Sequence, residues 1–287
     1  MLRQVVVGYT VILDTGSTDL WVNTLDRHPT LTNSTDLEVQ IQYGQGGVTG
    51  SISFAELQLG DFVIPSQGVF SLPHHKSLCL SVLYIAFINP SKISDMDLSG
   101  YDGIMGMAFD VASIYETVQQ AWGTDAADRL ARAPITSLFA LNPSLPNNFD
   151  VQLARTDALD DPAEGAFVIS GHADGFSAVA SAPRLPRVSD QHWSIVMDGM
   201  RVDGQAFAFS ASRISGTPAG KVVAALDTGF SFPPLPAAAV DAIYGSIEGA
   251  VYNSDYGTYF VPCTSGTNLT FTFASVAVFH SFLYGRY

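Results

Sequence analysis

The chain has 287 residues, of which 47% are apolar and 14% are charged, and this composition excludes a disordered chain or a coiled coil. Its length exceeds the usual size of a single hydrophobic core, so we expect one large β domain or two lobes. The net charge of −14 argues against a nucleic acid partner. No apolar stretch is long enough and free enough of polar residues to predict a membrane span.

The first predicted strand ends in a loop that carries an aspartate. Residues 5–13 are mostly apolar and lead directly into Asp14-Thr15-Gly16-Ser17, after which Leu20-Trp21-Val22 returns to apolar residues. This pattern predicts a buried strand, a tight loop and a second short strand.

A hairpin is predicted next. Val39, Ile41 and Tyr43 alternate with polar residues, residues 44–47 are rich in glycine, and the alternation resumes as far as Leu59. Strict alternation indicates a half-exposed strand, so we expect a β-hairpin with a glycine-rich tip.

The middle of the chain contains a glycine-punctuated segment, residues 100–107, where we expect another backbone to approach closely. Residues 114–130 contain the best helical candidate, around residues 115–122, and residues 165–171 predict another strand bounded by glycines. We place the boundary between an N-terminal lobe, residues 1–172, and a C-terminal lobe, residues 173–287, after this strand.

The second half repeats the plan of the first. Residues 192–204 predict a strand and a turn, and the apolar residues 222–226 lead into Asp227-Thr228-Gly229. A short core-facing helix is predicted over residues 237–247 and a strand over residues 269–273. The predicted fold class is therefore all-β and mostly antiparallel, with a few short helices.

The repeated Asp-Thr-Gly suggests chemistry. A single copy is best explained as a turn at the end of a strand, whereas two copies with matched apolar lead-ins predict a pair of carboxyl groups. Two adjacent carboxyls share one proton in mild acid, so one can act as base and the other as acid in hydrolysis. Such a pair needs no cofactor, and His74-His75 lacks the further ligands that a metal site requires.

With these motifs the sequence resembles the pepsin-like aspartic peptidases of eukaryotes, particularly the fungal members. Residues 11–22 match the family's apolar-Asp-Thr-Gly-Ser-x-x-Leu-Trp-Val signature, Tyr43-Gly44 matches its flap, and residues 101–106 match its apolar-Asp-Gly-Ile-x-Gly element. The resemblance implies a bilobal acid protease fold with the two aspartates at the floor of a cleft. It also implies an aspartic endopeptidase.

The resemblance assigns a role to each matching residue. The catalytic pair would be Asp14 and Asp227. Their support would come from the hydroxyls of Thr15 and Thr228, the backbone N–H groups of Gly16 and Gly229, and the Ser17 hydroxyl on the outer oxygen of Asp14. The substrate would be bound by the flap residues Tyr43 and Gly44, by Trp21 beneath the flap, and by the pocket residues Ile12, Tyr101 and Ile104. Without the motif, Trp21, Ile12 and Ile104 are better explained as core residues.

The family implies a polypeptide substrate with apolar or aromatic residues at the cleavage site, inhibition by pepstatin-like compounds and a monomer. It implies an extracellular or vacuolar location, and the sequons at Asn33 and Asn268 are glycosylation candidates. No separate signal peptide is predicted, because residues 1–4 lead straight into the strand that carries Asp14.

The sequence departs from the family in three ways. Phe230 stands where the family has Ser or Thr to hydrogen-bond the second aspartate. The chain is predicted to be truncated at both ends, with an incomplete second lobe, and the pairing of Cys79 and Cys263 stays open. The alternative is therefore an impaired or inactive pepsin-fold homologue, either a fragment or a protein-binding module. A lectin-like β-sandwich would leave the Asp-Thr-Gly repeat unexplained.

Overall fold

The computed structural model describes residues 8–24, 27–64, 85–96, 100–111, 113–153, 165–173, 177–230 and 234–274, and the backbone alone of residues 276–283. Cys79, His74-His75 and residues 5–7 of the first predicted strand lie outside these ranges. The described chain forms two compact units. The first comprises Met1–Asn147, Asp190–Trp193 and Leu226–Phe230, and the second comprises the remaining segments. The lobe limits at residues 172 and 173 stay a prediction.

The first unit is built on a six-stranded sheet with the strand order β1-β8-β2-β7-β4-β3. Its described strands are β1 (Val11–Asp14), β2 (Leu20–Val22), β3 (Asn33–Gln42), β4 (Gly47–Ala55), β5 (Leu57–Leu59), β6 (Phe62–Ile64), β7 (Ile85–Ser94) and β8 (Gly103–Gly106). Most pairs are antiparallel, but β1 pairs with β8 and β2 with β7 in parallel.

The glycines of β8 allow close contact with β2, as the sequence predicted. A side chain on Gly103 would overlap the backbone of Trp21, and one on Gly106 would overlap the backbone of Thr18. Only glycine leaves room for a backbone approach of this kind. The strand that carries Asp14 is thereby held close to β2 through β8.

The predicted hairpin is present as β3 and β4. Val39 is buried, Ile41 and Tyr43 are partly buried, and Glu38, Gln40 and Gln42 are exposed, as the alternation predicted. The register pairs Ile41 with Val48 and Gln42 with Gly47. The hairpin tip therefore falls on residues 43–46.

Three helices cover the sheet of the first unit in the described residues: α1 (Ser113–Trp122), α2 (Thr124–Leu130) and α3 (Pro134–Leu141). The helix predicted around residues 115–122 is present as α1, and Gly123, whose φ of 88° lies outside the helical range, separates it from α2. Trp21, Ile52, Ile88 and Val118 are fully or almost fully buried in the core between sheet and helices.

The second unit contains two-stranded sheets and a four-stranded sheet with the order β13-β12-β17-β18. Its described strands are β9 (Phe149–Gln152), β10 (Ala166–Ile169), β11 (Ser194–Met197), β12 (Gly199–Val202), β13 (Gln205–Phe207), β14 (Val222–Ala225), β15 (Val251–Asn253), β16 (Thr258–Phe260), β17 (Gly266–Phe273) and β18 (Val276–Leu283). A short 3₁₀ turn spans Ser177–Ser181. Helix α4 (Ala237–Gly245) packs Ala239 and Ile243 against Met200 and Leu269.

The two apolar lead-ins are less buried than the sequence predicted. Val11, Ile12 and Leu13 of β1 are partly exposed, and so are residues 222–224 of β14. The reason is position, because, among the strands described, β1 lies at the edge of its sheet and β14 belongs to a two-stranded sheet with β11. None of the helices in the described ranges is long and apolar enough to cross a membrane.

Candidate active site

The two Asp-Thr-Gly loops are brought together within the first unit. Asp14 is the last residue of β1, and Asp227 belongs to the segment Leu226–Phe230, which packs with the same unit. Asp14 is buried, with 6% of its surface exposed, and Asp227 is half-buried. Residues 213 positions apart in the sequence therefore share one site.

The threonines join the loops through four reciprocal hydrogen bonds. The Thr15 N–H donates to Thr228 Oγ1 at 3.1 Å, and the Thr228 N–H donates to Thr15 Oγ1 at 3.0 Å. The Thr15 hydroxyl donates to the Leu226 carbonyl at 2.7 Å, and the Thr228 hydroxyl to the Leu13 carbonyl at 2.6 Å. Each hydroxyl thus accepts one bond and donates another, which is the full use of its proton.

The glycines set the carboxyl groups face to face. A side chain on Gly16 would overlap the Asp227 carboxyl, and one on Gly229 would overlap the Asp14 carboxyl. The Gly16 N–H donates to Asp14 Oδ1 and the Gly229 N–H to Asp227 Oδ1, each at 2.8 Å. Each glycine therefore orients its own aspartate and leaves space for the opposite one.

The two aspartates differ in their remaining contacts. The Ser17 hydroxyl donates to Asp14 Oδ2 at 2.5 Å. At the matching position of the second loop stands Phe230, which has no donor. The Asp227 carboxyl is hydrogen-bonded to the Gly229 N–H and to the Asp14 carboxyl.

Electrostatics favour a shared proton. Burial raises the pKa of Asp227 above its ordinary value, and the negative charge of Asp14 raises it further. The Gly229 N–H bond and the positive charge of a protonated His192 act in the opposite direction. Two carboxyls that cannot both be ionised comfortably hold one proton between them in mild acid, which equips the pair for acid–base chemistry.

Tyr43, the predicted flap residue, lies at the hairpin tip. Its hydroxyl accepts a hydrogen bond of 2.9 Å from the Nε1–H of Trp21, a fully buried side chain. Burial raises the pKa of Tyr43, while the bonds with Trp21 and Ser17 act against that rise. Tyr43 therefore stays neutral and keeps its proton available as a donor.

The predicted pocket residues differ in their burial. Ile12 and Ile104 are paired in register between β1 and β8, and both pack on the core of the first unit. Tyr101 is 47% exposed and is not part of that core. Asn33 in β3 is partly exposed and Asn268 in β17 is exposed, and they belong to different units.

The sequence did not indicate a second connection between the loops, through Met107 and Trp193. The Met107 N–H donates to the Asp14 carbonyl at 2.8 Å, and Trp193 Nε1–H donates to the Met107 carbonyl at 2.9 Å. The Trp193 carbonyl in turn accepts the Leu226 N–H at 2.7 Å. Apart from the Trp193 indole, these bonds use backbone groups, which carry no residue-type signal.

Cys263 is free and exposed in the described part of the chain. The described residues contain no group of three His, Cys, Asp or Glu side chains that could hold a metal ion.

A mostly β fold that joins two Asp-Thr-Gly loops defines an acid-protease type of scaffold. The family model of the eukaryotic aspartyl proteases matches residues 6–280. The chain therefore belongs to the eukaryotic aspartyl protease family, and the resemblance and the fold class predicted from the sequence are confirmed.

Individual relatives agree with this family. The chain is 27% identical to pepsin A of Sus scrofa over 272 residues, which are 90% of this chain and 58% of that protein. It is 28% identical to the vacuolar aspartic protease of Candida albicans, over 93% of this chain and 57% of that protein. The chain spans about six tenths of the length of the curated relatives it matches.

The fold has a solved counterpart. The aspartic proteinase from Irpex lacteus superposes with a TM-score of 0.62 at 20% identity, covering 94% of this chain and 71% of that structure. At this identity the match bears on the fold alone.

Proposed function

We propose that the chain is an aspartic endopeptidase in which Asp14 and Asp227 together activate a water molecule. The ionised carboxyl takes a proton from the water, the oxygen of that water attacks the peptide carbonyl, and the protonated carboxyl gives its proton to the carbonyl oxygen. Collapse of this intermediate, with proton transfer to the leaving nitrogen, releases an amine and a carboxylic acid. The two aspartates titrate as a pair, so the resting proton is assigned to the pair and not to either residue.

One observation carries this proposal: the reciprocal Thr15–Thr228 hydrogen bonds and the two glycines that face the opposite carboxyl. Side chains on a rigid support keep the geometry that proton transfer needs. Tyr43, held by Trp21, would close over the bound peptide with Gly44.

The substrate would be a polypeptide with apolar or aromatic residues beside the scissile bond, and pepstatin-like inhibitors would bind the same site. Ile12 and Ile104 support the apolar preference, because they lie together on the strands that lead to Asp14 and Gly106. Tyr101 would add an exposed aromatic surface. The protein would act as a monomer in an extracellular or vacuolar compartment, with Asn33 and Asn268 as glycan sites.

The experiment is cleavage of an unstructured protein at acid pH, with and without pepstatin. The wild type and the variants Asp14→Asn and Asp61→Asn are compared. Asp61 lies exposed in the turn between β5 and β6, so its substitution controls for the loss of one charge. We expect cleavage by the wild type and by Asp61→Asn, complete inhibition by pepstatin, and no cleavage by Asp14→Asn. A folded wild type that neither cleaves nor binds pepstatin would refute the proposal.

The second candidate function is a catalytically impaired homologue that binds other proteins. Phe230 favours it, because the second aspartate lacks the hydroxyl donor that Ser17 gives the first. In the same assay this candidate predicts pepstatin binding without measurable cleavage.

A further inference from the structure

The ring of Phe230 lies beside the hairpin tip. In the loop Asp14-Thr15-Gly16-Ser17 the fourth residue donates to the carboxyl. In the loop Asp227-Thr228-Gly229-Phe230 the fourth residue has an aromatic ring, and that ring lies beside Gly44. The two loops therefore share their first three residues and differ in what the fourth one contacts.

The contact with Gly44 is tight. A methyl group added to Gly44 would lie 3.1 Å from Cε2 and 3.6 Å from Cζ of Phe230. Apart from the chain neighbours of Gly44, no other described atom lies within 4 Å of that position. Since ordinary carbon contacts are about 3.5–4.0 Å, a methyl group at Gly44 would require the ring to shift by a few tenths of an ångström, and a larger side chain would require a larger shift.

The hairpin side of this contact is fixed. Tyr43, next to Gly44, is hydrogen-bonded to the buried Trp21, and its N–H donates to the Gly46 carbonyl at 3.0 Å. The Phe230 side is less constrained, because 47% of its surface is exposed. Any widening of the gap must therefore come from displacement of the ring, which would break its apolar contact with the tip.

We propose that Phe230 is a specificity-determining residue that fills the space between the Asp227 loop and the hairpin tip, so that the enzyme selects peptides with Gly, Ala or Ser at the residue whose side chain is directed into that space. This inference rests on the proposed function and names its substrate class more closely. A Leu or Phe side chain directed into that space must displace the ring from Gly44, whereas Gly has no side chain and Ala or Ser requires only a small shift of the ring.

The test compares wild type and Phe230→Ala on peptides in which one residue at a time, on either side of the scissile bond, is Gly, Ala, Leu or Phe. At one position, Phe230→Ala should raise kcat/KM for Leu and Phe by about tenfold and change it for Gly by less than about twofold. Tyr256→Ala, which removes an exposed ring in the second unit, should change no preference. An equal change for every peptide would overturn the specificity role while leaving the proposed function intact. Failure of the wild type to cleave any peptide would overturn both.

A double-mutant cycle tests the contact itself. The backbone of Gly44 is not left-handed, so the ring is the main obstacle to Gly44→Ala. This change should lower kcat/KM at least about fivefold in the wild type and by less than about twofold when Phe230 is already Ala. Gly245→Ala serves as control, because a methyl group there meets nothing within 4 Å. Equal effects of Gly44→Ala in both backgrounds would overturn the proposal.

Discussion

At the scale of single residues, the two catalytic loops are held together by nearly symmetric hydrogen bonds, but their two carboxyls receive different hydrogen-bond donors. Thr15 and Thr228 exchange equivalent hydrogen bonds, and Gly16 and Gly229 face opposite carboxyls. A buried hydrogen bond to a charged group contributes about 1.5–3 kcal/mol, so the Ser17 donor on Asp14 makes the two aspartates inequivalent. Because the Ser17 hydroxyl stabilises the ionised form of Asp14, the shared proton is not distributed equally between the two carboxyls.

A donor placed at residue 230 should improve the pair. We expect Phe230→Thr to exceed Phe230→Val in kcat/KM by about tenfold, since the two side chains have nearly the same shape and Thr adds one hydroxyl. The hydroxyl stabilises the ionised carboxyl, so it lowers the pKa of the pair and should move the pH–rate profile to more acid values. The profile and kcat/KM are measured on one peptide. Identical profiles for Thr and Val would show that residue 230 does not reach Asp227.

The glycines should tolerate no side chain. Gly229→Ala and Gly16→Ala each place a methyl group on the opposite carboxyl, so the carboxyls must separate. Because misplacement by about 1 Å can cost about 100-fold, we expect activity to fall by at least that factor. Gly245→Ala at the end of α4 is the matched control and should keep full activity. Active Gly229→Ala enzyme would contradict the geometry described for the loops.

At the scale of elements, the site depends on strands that end at the same place. β1 delivers Asp14, and the N–H of Met107, directly after β8, donates to the Asp14 carbonyl. Trp193 connects Met107 to Leu226, and its ring lies 4.4 Å from that of Phe109. The loops are therefore joined twice, once through threonine hydroxyls and once through this indole.

Removing the indole donor should loosen the second connection. Trp193→Phe keeps an aromatic ring beside Phe109 but leaves the Met107 carbonyl without its donor. An unsatisfied buried group costs about 1–3 kcal/mol, so the free energy of unfolding should fall by that amount in a denaturant titration. We also expect kcat to fall more than KM changes, because the bond positions Asp14 and does not touch substrate. Trp122→Phe, in α1, controls for the loss of ring size; an equal loss of kcat there would contradict this role for Trp193.

The sequence predicted the elements whose signals are local. The β3–β4 hairpin was predicted from the alternation of Val39, Ile41 and Tyr43 with polar residues. The two Asp-Thr-Gly loops were predicted from the repeated motif. The helix predicted around residues 115–122 corresponds to α1. Helix α2 was not predicted separately, because the positive φ at Gly123 that precedes it is a conformation that a glycine permits but does not require. Met107 and Trp193 were missed, because their bonds involve backbone groups of residues 86 positions apart.

At the scale of the whole molecule, buried carboxyls link the fold to pH. Asp19 accepts the N–H of Ile114 at the start of α1, and Asp110 accepts the N–H of Ala133 just before α3. Burial raises the pKa of both carboxyls. Asp102 and Asp203 each accept a backbone N–H bond, and this bond is the main reason that their pKa values lie below the ordinary value.

These shifts predict greatest stability in mild acid. For Asp19 and Asp110 the folded pKa exceeds the unfolded one, so their contribution is fully present below the unfolded pKa and is lost as the pH rises through the folded pKa. For Asp102 and Asp203 the contribution is present above the unfolded pKa and is lost as the pH falls through the lowered folded pKa. The repulsion implied by a net charge of −14 adds to the loss at neutral pH.

Thermal unfolding checks this prediction. The midpoint should be several degrees higher near about pH 4.5 than near about pH 7.5. Asp19→Asn keeps an oxygen acceptor for the Ile114 N–H and removes the titration, so it should flatten the decline. Asp61→Asn should leave the decline unchanged. A midpoint that rises steadily to neutral pH, or an unchanged decline in Asp19→Asn, would contradict the role of the buried carboxyls.

The central claim is that Asp14 and Asp227 act as one unit, and the most direct measurement is kcat/KM for Asp14→Asn, Asp227→Asn and the double variant at acid pH. Groups that act as a unit are strongly non-additive. The account predicts that each single substitution lowers kcat/KM by at least about 1,000-fold and that the double variant is no worse than either. Substantial activity in either single variant, or losses that multiply in the double variant, would contradict a shared catalytic pair.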